Sequence, residues 1–167
     1  MKNNAIKFIA CDLDGTLLVP QGNLPQGIFE TIGKLHEQGI LFCPASGRQL
    51  TALKKMFAPV EDKIHILAEN GAIVAERNKV LLLESLPQED IFRALDAVEK
   101  IPHAHPLLCT PQCAYYESEG QPFLSFVEAS YISNAKGDLR EIAEKEPVCK
   151  IAVYDEIGPE NNGMKVL

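Results

Sequence analysis

Ile6-Lys7-Phe8-Ile9-Ala10-Cys11 runs directly into Asp12-Leu13-Asp14-Gly15-Thr16-Leu17, and this join decides the fold. The first six residues form a short apolar run bounded by charged and turn residues, the pattern of a buried parallel strand. The next six place two carboxylates two positions apart at the carboxyl end of that strand. Gly15 lets the backbone turn tightly and approach an anion, and Thr16 adds a hydroxyl and an N–H. In open α/β sheets, ligand sites gather outside these strand ends. Two such acids can divide labour, with Asp12 as nucleophile and metal ligand and Asp14 as the group that moves protons. An aspartate attacking phosphorus needs a divalent cation because two anions repel at close range, and Mg2+ suits a hard oxygen site. The plain alternative is a solvated acidic turn. A calcium loop is excluded by spacing, since Leu17, Leu18 and Val19 stand where further oxygen ligands would be needed.

Working outward, a loop around Pro20, Gly22 and Asn23 leads into a helical pattern of Ile28, Ile32 and Leu35, closed at Gly39. Residues 40–43 are predicted as a second strand ending in Pro44-Ala45-Ser46-Gly47-Arg48. There the Ser46 hydroxyl and a helix opening at Arg48 would both favour a phosphoryl oxygen. A serine that only caps the helix is the commoner meaning of that pattern. Leu50, Leu53 and Phe57 line a second helix, stopped by Pro59, and residues 64–67 form a third strand before Glu69-Asn70-Gly71-Ala72. Asn-Gly by itself is a turn dipeptide. Strand and helix in strict alternation predict an α/β fold with a parallel sheet and right-handed crossovers.

From Gly71 onward the pattern changes. Residues 72–75 and 80–83 flank Glu76-Arg77-Asn78-Lys79 as a hairpin. A helix follows with Pro87, Glu89 and Asp90 in its first turn and Ile91, Leu95 and Val98 on one face. Residues 114–116 and 123–127 bracket a turn and read as a second hairpin. Asp138 and Glu141 mark a capped helix start, and residues 150–154 one more strand. His103 and His105 fall in a Pro-bracketed loop, where a metal pair would lack a third ligand. The boundary falls near residue 80.

Composition bounds the function. The chain has 167 residues, 16 Lys plus Arg against 23 Asp plus Glu, and a net charge of −7. No Lys/Arg stripe is available for nucleic acid. No apolar run approaches the roughly 20 residues of a membrane span, and the start Met1-Lys2-Asn3-Asn4 does not open a signal peptide. The five cysteines are odd in number and sit mostly in apolar runs, as reduced thiols of a cytoplasmic protein do.

Taken in order, the Asp12–Leu17 stretch, Ala45-Ser46-Gly47-Arg48 and Glu69-Asn70-Gly71-Ala72 resemble the haloacid dehalogenase superfamily, and most closely the Cof-type phosphatases with a large α/β cap. The resemblance implies a Rossmann-like core in residues 1–80, represented by its N-terminal half, and a partial α/β cap in residues 81–167. It implies that Asp12 becomes an aspartyl-phosphate while Asp14 protonates the leaving oxygen and later activates water. Mg2+ would sit on the Asp12 carboxylate and the Asp14 main-chain carbonyl. Ser46 would bind phosphate, with Gly15, Thr16 and Gly47 shaping the anion site and Arg48 and Asn70 on the substrate side. Small phosphorylated metabolites, sugar phosphates among them, are the implied substrates.

One departure stands out. The family's later Lys and its Gly-Asp and Asn-Asp acids have no counterpart: Lys136-Gly137 arrives inside the cap pattern, Lys150 lies in an apolar strand, and Lys165 has no motif around it. The expectation is a chain that stops partway through its cap. The strand bearing Asp12, central in the family, then becomes an open apolar edge that pairs with a second copy. Catalysis is expected to suffer from the lost electrostatic stabilisation. The competing expectation is a non-catalytic remnant that binds phosphometabolites or serves in assembly; a mutase would share the Asp12 chemistry.

Overall fold

The computed structural model describes residues 6–20 and 22–165. The opening Met1-Lys2-Asn3-Asn4 lies outside the described residues. The chain forms two compact units, Met1–Leu83 and Glu84–Leu167.

The first unit is a five-stranded sheet of β1 (Phe8–Asp12), β2 (Leu41–Ala45), β3 (His65–Ala68), β4 (Ile73–Glu76) and β5 (Lys79–Leu83), in that spatial order. β1, β2 and β3 run parallel, and β4 and β5 return antiparallel. Two helices make the crossovers, α1 (Ile28–Glu37) and α2 (Leu50–Met56). α1 buries Ile32 and ends where Gly39 adopts φ +70°. There the Ile40 N–H donates to the Leu35 carbonyl and the Gly39 N–H to that of His36, both at 2.9 Å, so two carbonyls left over at the helix end are satisfied. α2 buries Leu50 and Leu53, and Phe57 behind it closes over the core beside Phe42. Each such side chain contributes about 1.5–3 kcal/mol through burial. Pro59 then enters a tight turn, Ala58–Lys63, and the helix stops.

The boundary expected near residue 80 moves to the Leu83–Glu84 junction, because β5 stays paired to β4. Among the described strands β1 forms one edge of the sheet and β5 the other. Parallel strands are ordinarily covered on both faces, yet β1 alternates exposed and half-buried residues, and Phe8 is 52% exposed.

The second unit is a four-stranded sheet in the order β8 (Asn134–Lys136), β7 (Ala114–Tyr116), β6 (Ala104–Cys109), β9 (Lys150–Asp155). Alternation along β6 sends Leu108 to one face and Leu107 and Cys109 to the other. On the Leu108 face pack Ile91 and Leu95 of α3 (Gln88–Val98) and Leu139 and Ala143 of α5 (Leu139–Lys145). The opposite face takes Phe123 and Val127 of α4 (Phe123–Ser130). Asp138 caps α5, accepting the Glu141 N–H at 2.9 Å, as the sequence signature indicates.

Two expectations fail here. Residues 123–127 are helix, not the second arm of a hairpin: β7 pairs instead with β6 and β8. Four apolar residues around Ser125 fit either period. Phe123 and Val127, four apart, are the two fully buried positions, and the Gln121 side chain accepts the Ser125 N–H at 3.3 Å within the first turn. The histidine loop is also partly strand. His105 lies in β6 opposite Tyr154, its ring stacked on Phe123 at 4.9 Å. Pro106 misled the reading, but it precedes the stretch that pairs with β7, so β6 has only β9 beside it there. All five cysteines are free thiols.

Candidate active site

Register builds the site. β1 and β2 pair so that Asp12 stands beside Ala45, and β2 and β3 so that Ala45 stands beside Leu67. Three strands therefore end level, and the segments that follow them, Leu13–Leu17, residues 46–48 and Glu69–Gly71, emerge together at one rim of the sheet.

After Asp12 the chain makes a wide single turn, closed by the Leu18 N–H donating to the Leu13 carbonyl at 2.9 Å. Leu13 is fully buried and pins the turn to the core. Gly15 has φ +82°, with open space where a side chain would go, so glycine is required there by backbone conformation and not by crowding. The turn brings Thr16 back over Asp12, and its hydroxyl donates to Asp12 Oδ2 at 2.9 Å. One oxygen of the carboxylate is thereby oriented.

The second and third segments are laced to each other by main-chain hydrogen bonds. The Ser46 N–H donates to the Leu67 carbonyl (3.0 Å), Asn70 N–H to Ser46 (3.2 Å) and Glu69 N–H to Arg48 (3.1 Å). α2 begins at Leu50, two residues later than expected, so Ser46 does not cap it. Its Oγ instead accepts the Arg48 N–H at 3.2 Å in a local serine turn. Glu69 and Asn70 both adopt positive φ, 50° and 58°, ahead of Gly71 at 99°. For non-glycine residues such backbone is strained and persists only where its surroundings enforce it. A Cβ built on Gly47 would lie 2.3 Å from Asn70 Oδ1, so the missing side chain at Gly47 is the space that Asn70 fills.

Arg48 and Asp14 meet. Arg48 Nη2 donates to Asp14 Oδ1 at 2.7 Å and Nε to Oδ2 at 3.1 Å, a fork-on-carboxylate pair. Those hydrogen bonds first, and the guanidinium charge with them, hold the Asp14 carboxyl below the usual carboxylate range despite slight desolvation. The same bonds push Arg48 upward. Because Asp14 is 60% exposed, the pair is worth under about 1 kcal/mol to the fold.

Of the eight residues singled out from the sequence, Asp12 is the last residue of β1, and Asp14, Gly15, Thr16, Ser46, Gly47, Arg48 and Asn70 lie in these three segments. Sequence reasoning quoted Glu69 at the head of the third stretch but gave it no role; it is buried to 2% beside them. Among the described residues no group of three or more His, Cys, Asp or Glu could hold a metal ion. The donors at the rim, the Asp12 carboxylate and the Asp14 carbonyl, are nevertheless all oxygen. That fits Mg2+, which keeps several waters and takes only one or two carboxylates.

Comparisons with known proteins bear on the family and the fold. The family model of haloacid dehalogenase-like hydrolases matches residues 9–162. The 5-amino-6-(5-phospho-D-ribitylamino)uracil phosphatase YbjI of Escherichia coli is 30% identical over 112 residues, 66% of this chain and 41% of that protein. A crystal structure from Eubacterium rectale superposes with a TM-score of 0.79 at 26% identity, over 90% of this chain and 58% of that one. BT1666 of Bacteroides thetaiotaomicron, described with the phosphatases of the haloalkanoate enzyme superfamily, shares the fold with a TM-score of 0.76 at 20% identity, over 99% of this chain and 62% of its own. The matched span is about a third to two fifths of the length of the first curated relatives. With the family pattern running through both units, the chain belongs to the haloacid dehalogenase-like hydrolases.

Proposed function

We propose that this chain carries the nucleophile and the phosphoryl-binding loop of a Mg2+-dependent cytoplasmic phosphatase acting on small phosphorylated metabolites, sugar phosphates among them. The observation that carries the reading is the level ending of β1 and β2, which sets Asp12 and the Ser46 loop at neighbouring strand ends. The name of YbjI, a phosphatase of a phosphorylated ribityl compound, supports the substrate class.

In this reading an Asp12 oxygen attacks phosphorus. A P–O bond forms to the carboxylate as the P–O bond to the leaving oxygen breaks, and Asp14, entering the step as the neutral carboxylic acid, supplies that oxygen with a proton and becomes the carboxylate. Asp14 then takes a proton from water, whose oxygen attacks phosphorus, releasing phosphate and restoring Asp12. The Thr16 hydroxyl on Oδ2 leaves Oδ1 for attack and removes the need to orient the carboxylate during reaction. Ser46 Oγ and the loop after it hold phosphoryl oxygens, with Asn70 keeping that loop in place. Bound Mg2+, held by the Asp12 carboxylate and Asp14 carbonyl, would neutralise charge between nucleophile and phosphoryl group.

The competing reading is a module that binds phosphometabolites at the same rim without turnover. Hydrolysis of p-nitrophenyl phosphate by the purified chain separates the two. Phosphatase function is expected to give Mg2+-dependent hydrolysis that disappears on chelation and in Asp12→Asn. A folded chain no faster than Asp12→Asn overturns it in favour of binding alone.

A further inference from the structure

Arg48 belongs to two parts of the site at once. Its main-chain N–H donates to Ser46 Oγ, which keeps it in the loop read above as phosphate-binding. Its guanidinium spans to the Asp12–Leu17 turn and takes both oxygens of Asp14. Gly22 lies near it: a Cβ at Gly22 would come to ordinary contact distance, 4.0 Å, from Nη2. Gly22 is held there by donating its N–H to the Val19 carbonyl at 3.1 Å. The pair is otherwise open to solvent, 36% at Arg48 and 60% at Asp14.

The two paired N–H groups of a guanidinium fork match a phosphoryl group as well as they match a carboxylate, and cannot serve both together. A phosphoryl dianion bound at Ser46 would arrive beside a fork already engaged by a singly charged, solvent-exposed competitor. While engaged, Asp14 is held in a fixed direction by two hydrogen bonds, and turning it toward a leaving oxygen breaks them.

We propose that Arg48 is a ligand-exchanged latch: it holds the Asp14 carboxylate in the free chain and passes its two donors to the phosphoryl group of an entering substrate, releasing Asp14 for proton transfer. This regulation rests on the phosphatase reading of the site. It ties the proton-moving group to occupancy, and it makes Asp14 a competitor of the ligand instead of a bystander.

Binding of inorganic phosphate to the whole chain, measured by calorimetry with magnesium chloride present throughout, tests it through a double-mutant cycle of Asp14→Asn and Arg48→Met, with Ser46→Ala as the reference for the phosphate site. Both cycle positions are partly exposed, and circular dichroism confirms folding of each variant. The latch requires Asp14→Asn to tighten phosphate about fivefold when Arg48 is present, the scale of one exposed ion pair, and by less than about twofold in Arg48→Met. Simple charge repulsion between Asp14 and phosphate would give equal tightening in both backgrounds, and that result, with Ser46→Ala weakening binding, overturns the latch alone. Absence of phosphate binding that Ser46→Ala weakens overturns the reading of the site and the latch with it.

Discussion

The guanidinium of Arg48 grips both carboxylate oxygens of Asp14 across 34 positions of sequence, joining the turn after β1 to the loop after β2. The pH dependence of this pair has a definite sign. Asp14 is held below the ordinary carboxylate pKa, near 4 in an unfolded chain. Its stabilisation is therefore complete above that value and disappears as pH falls through the lowered one. Arg48→Met is expected to cost under about 1 kcal/mol at neutral pH, with the difference from wild type closing in acid. Urea unfolding at a series of pH values checks this, and a gap that widens in acid counts against it.

Gly47 and Asn70 make a second pair with a calculable consequence. Gly47→Ala must displace the end of the exposed Asn70 side chain, and a shift of this kind at the surface is expected to cost under about 1 kcal/mol. Removing the obstacle should restore what was lost: the double variant Gly47→Ala/Asn70→Ala is expected to be more stable than Gly47→Ala alone. Thermal melts of the three variants decide it. At Gly15 no partner can compensate, because there the backbone conformation itself is the constraint.

Leu13 links the core to the chemistry. Leu13→Ala opens a cavity beneath the turn that carries Asp14, Gly15 and Thr16, and should lower stability by about 2–5 kcal/mol. A loss below about 1 kcal/mol in chemical denaturation would mean that the turn is not anchored there.

In the second unit, the Tyr115 hydroxyl donates to Glu146 Oε1 at 2.9 Å. That bond, then desolvation and the nearby negative charge, pushes the phenol up to about 12. The protonated phenol is the favoured form, so its stabilising effect is present below the ordinary pKa near 10 and is lost as pH rises toward 12. Phenolate absorbance should show one tyrosine titrating late, and Glu146→Gln should bring it back toward 10. A late tyrosine that survives in Glu146→Gln would refute the cause.

We infer self-association through β1, whose edge carries the exposed Phe8 and, just before it, Ile6. A charge on an open edge strand opposes such pairing. Light scattering is expected to show concentration-dependent association of the wild-type chain that Phe8→Lys reduces. A wild-type monomer at high concentration defeats the inference.

Much of the site could be read along the chain because its signals are local. Asp12, Asp14, Gly15 and Thr16 occupy one turn, and the positive φ at Gly15 follows from glycine's freedom alone. Asp138 announced α5 by the same kind of short-range chemistry. Periodicity was enough for α1, α2 and α3, whose apolar residues recur at helical spacing. It was not enough at Phe123–Ser130, where four apolar residues around Ser125 fit both periods and only packing of Phe123 and Val127 against β6 and β7 selects the helix. Nor could the chain alone show that Pro106 lies in a strand, since that depends on β9, more than forty positions away.

What folding added is the set of meetings between segments. Asp14 with Arg48, Gly47 with Asn70, and the Ser46 loop with Glu69 each depend on β1, β2 and β3 pairing in one register, so that their ends stand level. Composition, turn chemistry and period act over a few residues and specify which side chains are available. Register is settled by the burial of whole strands and helices at once, and it is register that chooses which of those side chains touch.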